Sequence, residues 1–122
     1  MSAKWMTGAW LAQEYKRLNR KWFNNTLPSD VRLRWTRGFR PPNNTFVGRT
    51  RNTRRVGAST NSTASGYSIT LSTRMQGMAF VMMTLLHEMA HVATWGEKKS
   101  HGPRWQAEML RLAQIGAFKE WW

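Results

Sequence analysis

The chain has 122 residues, with 19 lysines and arginines against 6 acidic residues, a net charge of +13, and no cysteine. That length suits one domain built on one hydrophobic core and excludes two, and the lack of cysteine excludes both a disulfide framework and a thiolate metal site. The longest apolar run, Met78 to Met83, is too short to cross a bilayer, and residues Met1 to Trp5 lack the apolar centre of a signal peptide. The expectation is therefore an unsecreted protein, cytoplasmic or associated with nucleoid DNA, with no membrane partner.

In chain order, Leu11, Tyr15, Leu18 and Trp22 fall on one helical stripe, with Lys16, Arg17, Arg20 and Lys21 off it. This pattern predicts an amphipathic helix over about residues 8–24, ended by Asn24-Asn25-Thr26-Leu27-Pro28. Val31-Arg32-Leu33-Arg34-Trp35 alternates apolar and basic residues, which predicts a half-buried strand. Further strands are expected over 45–51, 54–58 and 66–71, with loops at 40–44 and through the low-complexity run Gly57 to Gly66. Two helices close the chain, about 75–95 and 102–117, and the second is expected to bury Trp105, Met109 and Leu112. The resulting fold class is α+β, one compact zincin-like domain over 1–122 with its core at about 8–118. It comprises an N-terminal helix, a small β-sheet, a central helix and a C-terminal helix.

The last of these helices is preceded by the residues that carry the chemistry. Residues 87–91 read His87-Glu88-Met89-Ala90-His91, and the one other histidine is His101. On a helix an i, i+4 pair shares a face, so His87 and His91 can both reach one Zn²⁺, and Glu88, one step round, can act on a water bound there. A helical wheel sets Met82, Leu85, Met89 and Val92 opposite the two histidines, which leaves the histidines facing a cleft. The third ligand has more than one source. A metzincin spacing would need histidine at 97 and glycine at 94, but these are Glu97 and Thr94. His101 opens the last helix after a loop long enough to fold back, and it is the favoured ligand; Glu108, one turn further in, is the rival. Arg104 and Tyr67 are candidates for stabilising an oxyanion. Asn24, Asn43 and Asn61 fit a glycosylation pattern, but nothing else in the chain points to secretion.

These residues also carry a family resemblance. Leu85 to His91, the tryptophan at 95 and His101-Gly102-Pro103-Arg104-Trp105 resemble the SprT-like zinc metallopeptidases, whose pattern is HExxH, a short loop, then HGxx and an aromatic residue. Leu18-Asn19-Arg20-Lys21-Trp22-Phe23 with Leu27-Pro28 is similar to that family's opening helix and turn. Val47-Gly48-Arg49-Thr50 and Ile69-Thr70-Leu71-Ser72 are similar to two of its strands. The likeness runs over about residues 10–116, and its one specific component is the zinc motif. It implies a zinc peptidase with His87, His91 and His101 as ligands and Glu88 as the catalytic residue. Bacterial members often carry a cysteine zinc ribbon and the eukaryotic Spartan proteins long partner-binding tails; no cysteine stands in these 122 residues, so functions resting on such appendages are not implied.

Charge supplies the remaining clue. No acidic residue lies between Val31 and His87, while nine arginines do. Arg32 and Arg34 share one face of a strand, as do Arg49 and Arg51, and with Arg54 and Arg55 they form a candidate surface for nucleic-acid phosphates. Such a field binds single- or double-stranded DNA without sequence preference. Trp10, Trp35, Trp121 and Trp122 can stack on bases or pack in the core. The combined expectation is a zinc-dependent endopeptidase recruited by DNA to protein bound or crosslinked to it. Two alternatives are a non-catalytic nucleic-acid-binding protein with a structural zinc site and a peptidase unrelated to DNA.

Overall fold

A computed structural model describes residues 4–37, 48–52, 66–74, 77–99 and 101–121. Its elements run α1 (Gly8–Trp22), β1 (Arg32–Thr36), β2 (Gly48–Asn52), β3 (Tyr67–Ser72), α2 (Met78–Ala93), α3 (Pro103–Gln114) and a closing 3₁₀ turn at Lys119–Trp121. The α+β class holds. The strand expected at 54–58, with Arg54 and Arg55, lies outside the described residues, as do residues 45–47 of the second expected strand.

Helix α1 begins where the Thr7 hydroxyl accepts the Trp10 amide at 3.1 Å, satisfying one of the open amides of the first turn. Its stripe of Leu11, Tyr15 and Leu18 is buried. The turn that follows is bound back to the helix. Asn19 donates to the Leu27 carbonyl at 3.0 Å and accepts its amide at 3.2 Å, and the Tyr15 hydroxyl donates to the Pro28 carbonyl at 2.6 Å. Burial raises the Tyr15 pKa, so the phenol stays neutral and keeps donating. The Leu-Pro turn thus delivers the chain into β1 at a fixed height on α1.

The sheet order is β1-β3-β2, with β1 parallel and β2 antiparallel to β3. Both helices α1 and α2 lie against its inner side, where Leu33, Ile69 and Leu71 point. Trp35 also points inward. It groups with Trp5 and Trp10, the Trp10 and Trp35 rings stacking at 6.5 Å, and its indole N–H donates to the Thr7 carbonyl at 3.1 Å. Both tryptophans therefore pack.

Helix α2 is more deeply buried than a two-faced wheel suggests. Val81, Met82, Leu85, Leu86, Met89, Ala90 and Val92 are buried, and so are Thr84 and Glu88. The sheet takes one side of it, α3 and the closing turn others. His87 and His91 occupy the arc left half-open. In α3 only Leu112 is fully buried, whereas Trp105 and Met109 are partly buried at the edge of the core. The expected burial of Trp105 is thus corrected, and its ring has other contacts.

Candidate metal centre and catalytic cleft

The helical spacing of His87 and His91 brings their Nε2 atoms to 3.3 Å, and His101, from the loop ahead of α3, places its own Nε2 3.2 Å from His91 and 3.3 Å from His87. Three nitrogens so arranged form a nearly equilateral triangle. Tetrahedral ligands at 2.0–2.1 Å from a zinc ion stand about 3.3–3.4 Å apart, so the triangle has the size the ion requires. Three histidine nitrogens are also the donor set of a zinc site that keeps a fourth position open. His87, His91 and His101 are thus positioned to hold a metal ion, and among the described residues they are the one such group. Burial, and then the neighbouring His101, lowers the His87 pKa to about 4, which keeps its ring neutral, the form that ligates metal.

The rival ligand Glu108, and Glu97 at the position of the metzincin spacing, have other partners. Glu108 is ion-paired with Arg111 on the same helix. Glu97 accepts the backbone amides of Arg104 at 2.7 Å and Trp105 at 3.1 Å. Gly102, the N-cap of α3, has no side chain to cap those amides, so the carboxylate of Glu97 does it from the preceding loop. A Cβ on Gly102 would come within 2.8–3.0 Å of that carboxylate. A Cβ there would push the carboxylate off the two amides, and the clamp so formed fixes the chain on which His101 sits.

Trp105 completes the support. Its ring lies flat against His91 at 5.4 Å and edge-on to His87 and His101, and its N–H reaches the His87 carbonyl at 3.4 Å. One indole therefore restrains all three imidazoles.

Glu88 points the other way round α2, toward β2. Its Oε1 accepts the Thr50 hydroxyl at 2.7 Å, and that hydroxyl also lies 3.1 Å from the Glu88 carbonyl. The second oxygen, Oε2, is 3.8 Å from His87 Nε2, beside the histidine triangle and not part of it. Burial pushes the Glu88 pKa up to about 7, against the pull of the Thr50 hydrogen bond; a divalent cation between the histidines acts in the opposite sense. Gly48 makes this approach of strand to helix possible. A Cβ there would meet Thr84 Cγ2 at 2.9 Å, Glu88 Oε2 at 3.0 Å and Leu71 Cδ2 at 3.1 Å.

These groups line one cleft, with Gly48, Arg49 and Thr50 on the β2 wall, His87, Glu88 and His91 at its floor, and Trp95 and His101 opposite. Trp95 is 43 % exposed and meets Tyr67 edge-on at 5.7 Å. A second hollow, bounded by His91, Thr94, Trp95 and Glu97 among others, adjoins it across the Trp95 ring. Thr50, Gly48 and Glu97 were not singled out by the sequence as site residues, yet each leaves a trace there. With Arg49 and Arg51 facing out, Gly48 and Thr50 must face in; and Glu97 is the one acidic residue in the loop before a helix that lacks a capping side chain.

The family model described as SprT-like matches residues 11–120, nearly the whole chain. Neither a curated protein nor a solved structure matches it.

Proposed function

This chain belongs to the SprT-like family, a zinc-metallopeptidase type of domain, and from that membership and the geometry of the cleft we propose that it is a zinc-dependent endopeptidase. The observation that carries the proposal is a buried carboxylate that is not a ligand, held with one oxygen turned to a ligand triangle of zinc dimensions. A purely structural metal site has no use for such a group, whose burial is costly.

His87, His91 and His101 would hold a zinc ion, which when bound would supply Lewis acidity toward a water and a carbonyl oxygen. Glu88 supplies the proton transfers. Thr50 occupies Oε1, so Oε2 is the oxygen that receives a proton from the attacking water and returns it to the amine nitrogen as the peptide bond breaks. Trp105 and the Glu97 clamp keep the imidazoles in register, so little reorganisation is needed at the moment of reaction. Trp95, at the open rim, offers an apolar wall for a substrate side chain.

The substrate class we propose is protein that is bound or crosslinked to DNA. Support comes from the +13 charge, which draws the domain onto a polyanion irrespective of sequence. Tethering enzyme and substrate on one polymer raises their effective concentration with no new contact in the cleft. The test compares cleavage of a DNA-bound protein with that of the same protein free, at matched concentration and low salt. Faster cleavage on DNA, reversed by excess competitor DNA, is expected. Equal rates would leave a zinc peptidase and remove DNA as its recruiter.

A further inference from the structure

The register of the sheet places four arginines on its outer face in two rows. Arg32 and Arg51 both stand opposite Ser68, and Arg34 and Arg49 both stand opposite Thr70. Directly opposed residues share a face, so each row reads arginine, hydroxyl, arginine across the three strands. The rows are about 6.7 Å apart along the strands, and the two arginine columns about 9.5 Å apart, so the guanidiniums can reach separate phosphates without crowding one. Arg32, Arg34 and Arg51 are exposed and Arg49 is half-buried. Among the described residues of the strands, this face carries neither an acidic nor an aromatic side chain.

That last point decides the partner. Proteins that hold single strands combine positive charge with aromatic rings on which bases stack. Here the rings of the described strands are on the other side of the sheet: Trp35 points inward to Trp5 and Trp10, and Tyr67 lies against Trp95. Guanidiniums flanking hydroxyls bind phosphate oxygens and read no base. We infer that the outer face of the sheet is a docking platform for the phosphate backbone of duplex nucleic acid, engaged by Arg32, Arg34, Arg49 and Arg51 around a ridge of Ser68 and Thr70.

This rests on the nucleic-acid part of the proposed function and is independent of the peptidase chemistry. It adds a geometric link between the two. Strand β2 is shared, because Thr50 and Gly48 turn inward to Glu88 while Arg49 and Arg51, their neighbours, turn outward. A duplex on the platform lies one strand's thickness from the cleft, which puts a protein on the same duplex within its reach.

The test is binding by fluorescence anisotropy across a salt series, using the full chain with Glu88→Gln so that cleavage plays no part. The probes are a short duplex and a thymidine homopolymer matched in number of phosphates. Four phosphate contacts give a slope of about −3.6 in log affinity against log salt on duplex, from about −0.9 per contact. The duplex is expected to bind more tightly, since its denser charge releases more counterions. The pairs Arg32→Gln with Arg34→Gln, and Arg49→Gln with Arg51→Gln, are each expected to flatten the slope by about 1.8. Lys16→Gln with Arg20→Gln, on the exposed side of α1, removes the same charge and serves as the control. Thermal melts confirm that each variant is folded. An equal loss in the control, or tighter binding to the single strand, would overturn the platform and leave DNA recruitment standing; no wild-type binding to either probe would overturn both.

Discussion

The histidine cleft and the arginine face lie on opposite sides of one strand, and they are built on opposite principles. In the cleft, side chains converge: three nitrogens meet within 3.3 Å, one carboxylate is fixed by one hydroxyl, and one indole touches every ligand. On the outer face the arginines are spread along two rows set by the register of the sheet. Convergent sites depend on position to a fraction of an ångström, so one substitution removes function outright. Dispersed charge is additive, so each substitution there has a small and similar effect. The difference teaches that strand β2 can serve both, with Gly48 and Thr50 turned to Glu88, and Arg49, which also borders the cleft, standing with Arg51 in the outer rows.

The largest expected effect, and the sharpest statement of convergence, is at the third ligand. His101→Ala is expected to weaken zinc binding by more than the roughly 10- to 100-fold typical of supporting residues, with proteolysis lost in parallel. Competition with a chromophoric chelator measures it. A His101 variant that keeps full affinity would move the third ligand to another group.

Next come the residues that hold the ligands and the base. Gly102→Ala and Glu97→Ala attack the same clamp from its two sides, and each is expected to cost roughly 10- to 100-fold in zinc affinity, with Glu97→Gln recovering part of the loss. Similar zinc affinity in all three variants would show that the clamp only caps α3. Thr50→Val keeps shape but removes the hydrogen bond to Glu88, so kcat is expected to fall roughly tenfold while zinc content and KM hold. A change in KM alone would place Thr50 in substrate binding.

A smaller effect is expected at the rim. Trp95→Ala removes an exposed apolar wall, and about 1 kcal/mol of lost contact raises KM about fivefold with kcat little changed. The smallest is expected for single arginines of the face. Arg34→Gln is expected to leave cleavage of a free peptide unchanged and to slow cleavage of a DNA-bound protein only a few-fold, by one phosphate contact. Complete loss on the DNA-bound substrate would mean that the face is as convergent as the cleft, and the comparison would fail.

The cleft was more legible than its supports. The i, i+4 histidines and the non-ligand glutamate are local to one helix, so spacing alone predicts where they stand on it, and the loop before Pro103 is long enough to bring His101 beside the other two. Thr50 lies 38 residues from Glu88, and no local pattern states which strand residue meets which helix residue. The same limit explains the sheet. Alternation predicts β1, but its parallel pairing with β3, with β2 at the far edge, is long-range information. Periodicity predicts a two-faced α2 because it weighs apolar positions only, whereas Thr84 and Glu88 are buried against Gly48 and Thr50 of β2. The arginine pairs within each strand followed from alternation, and their union on one face needed the register.

The most direct measurement is a paired determination of zinc content and peptide-bond cleavage in the wild-type chain and Glu88→Gln. Glutamine fills the same space beside Thr50 and cannot take a proton from water. A zinc endopeptidase with Glu88 as its base predicts about one zinc per chain in both proteins, and cleavage lower in the variant by about 10²- to 10⁴-fold. Equal cleavage by the two proteins at equal zinc content, or none by either, would contradict it.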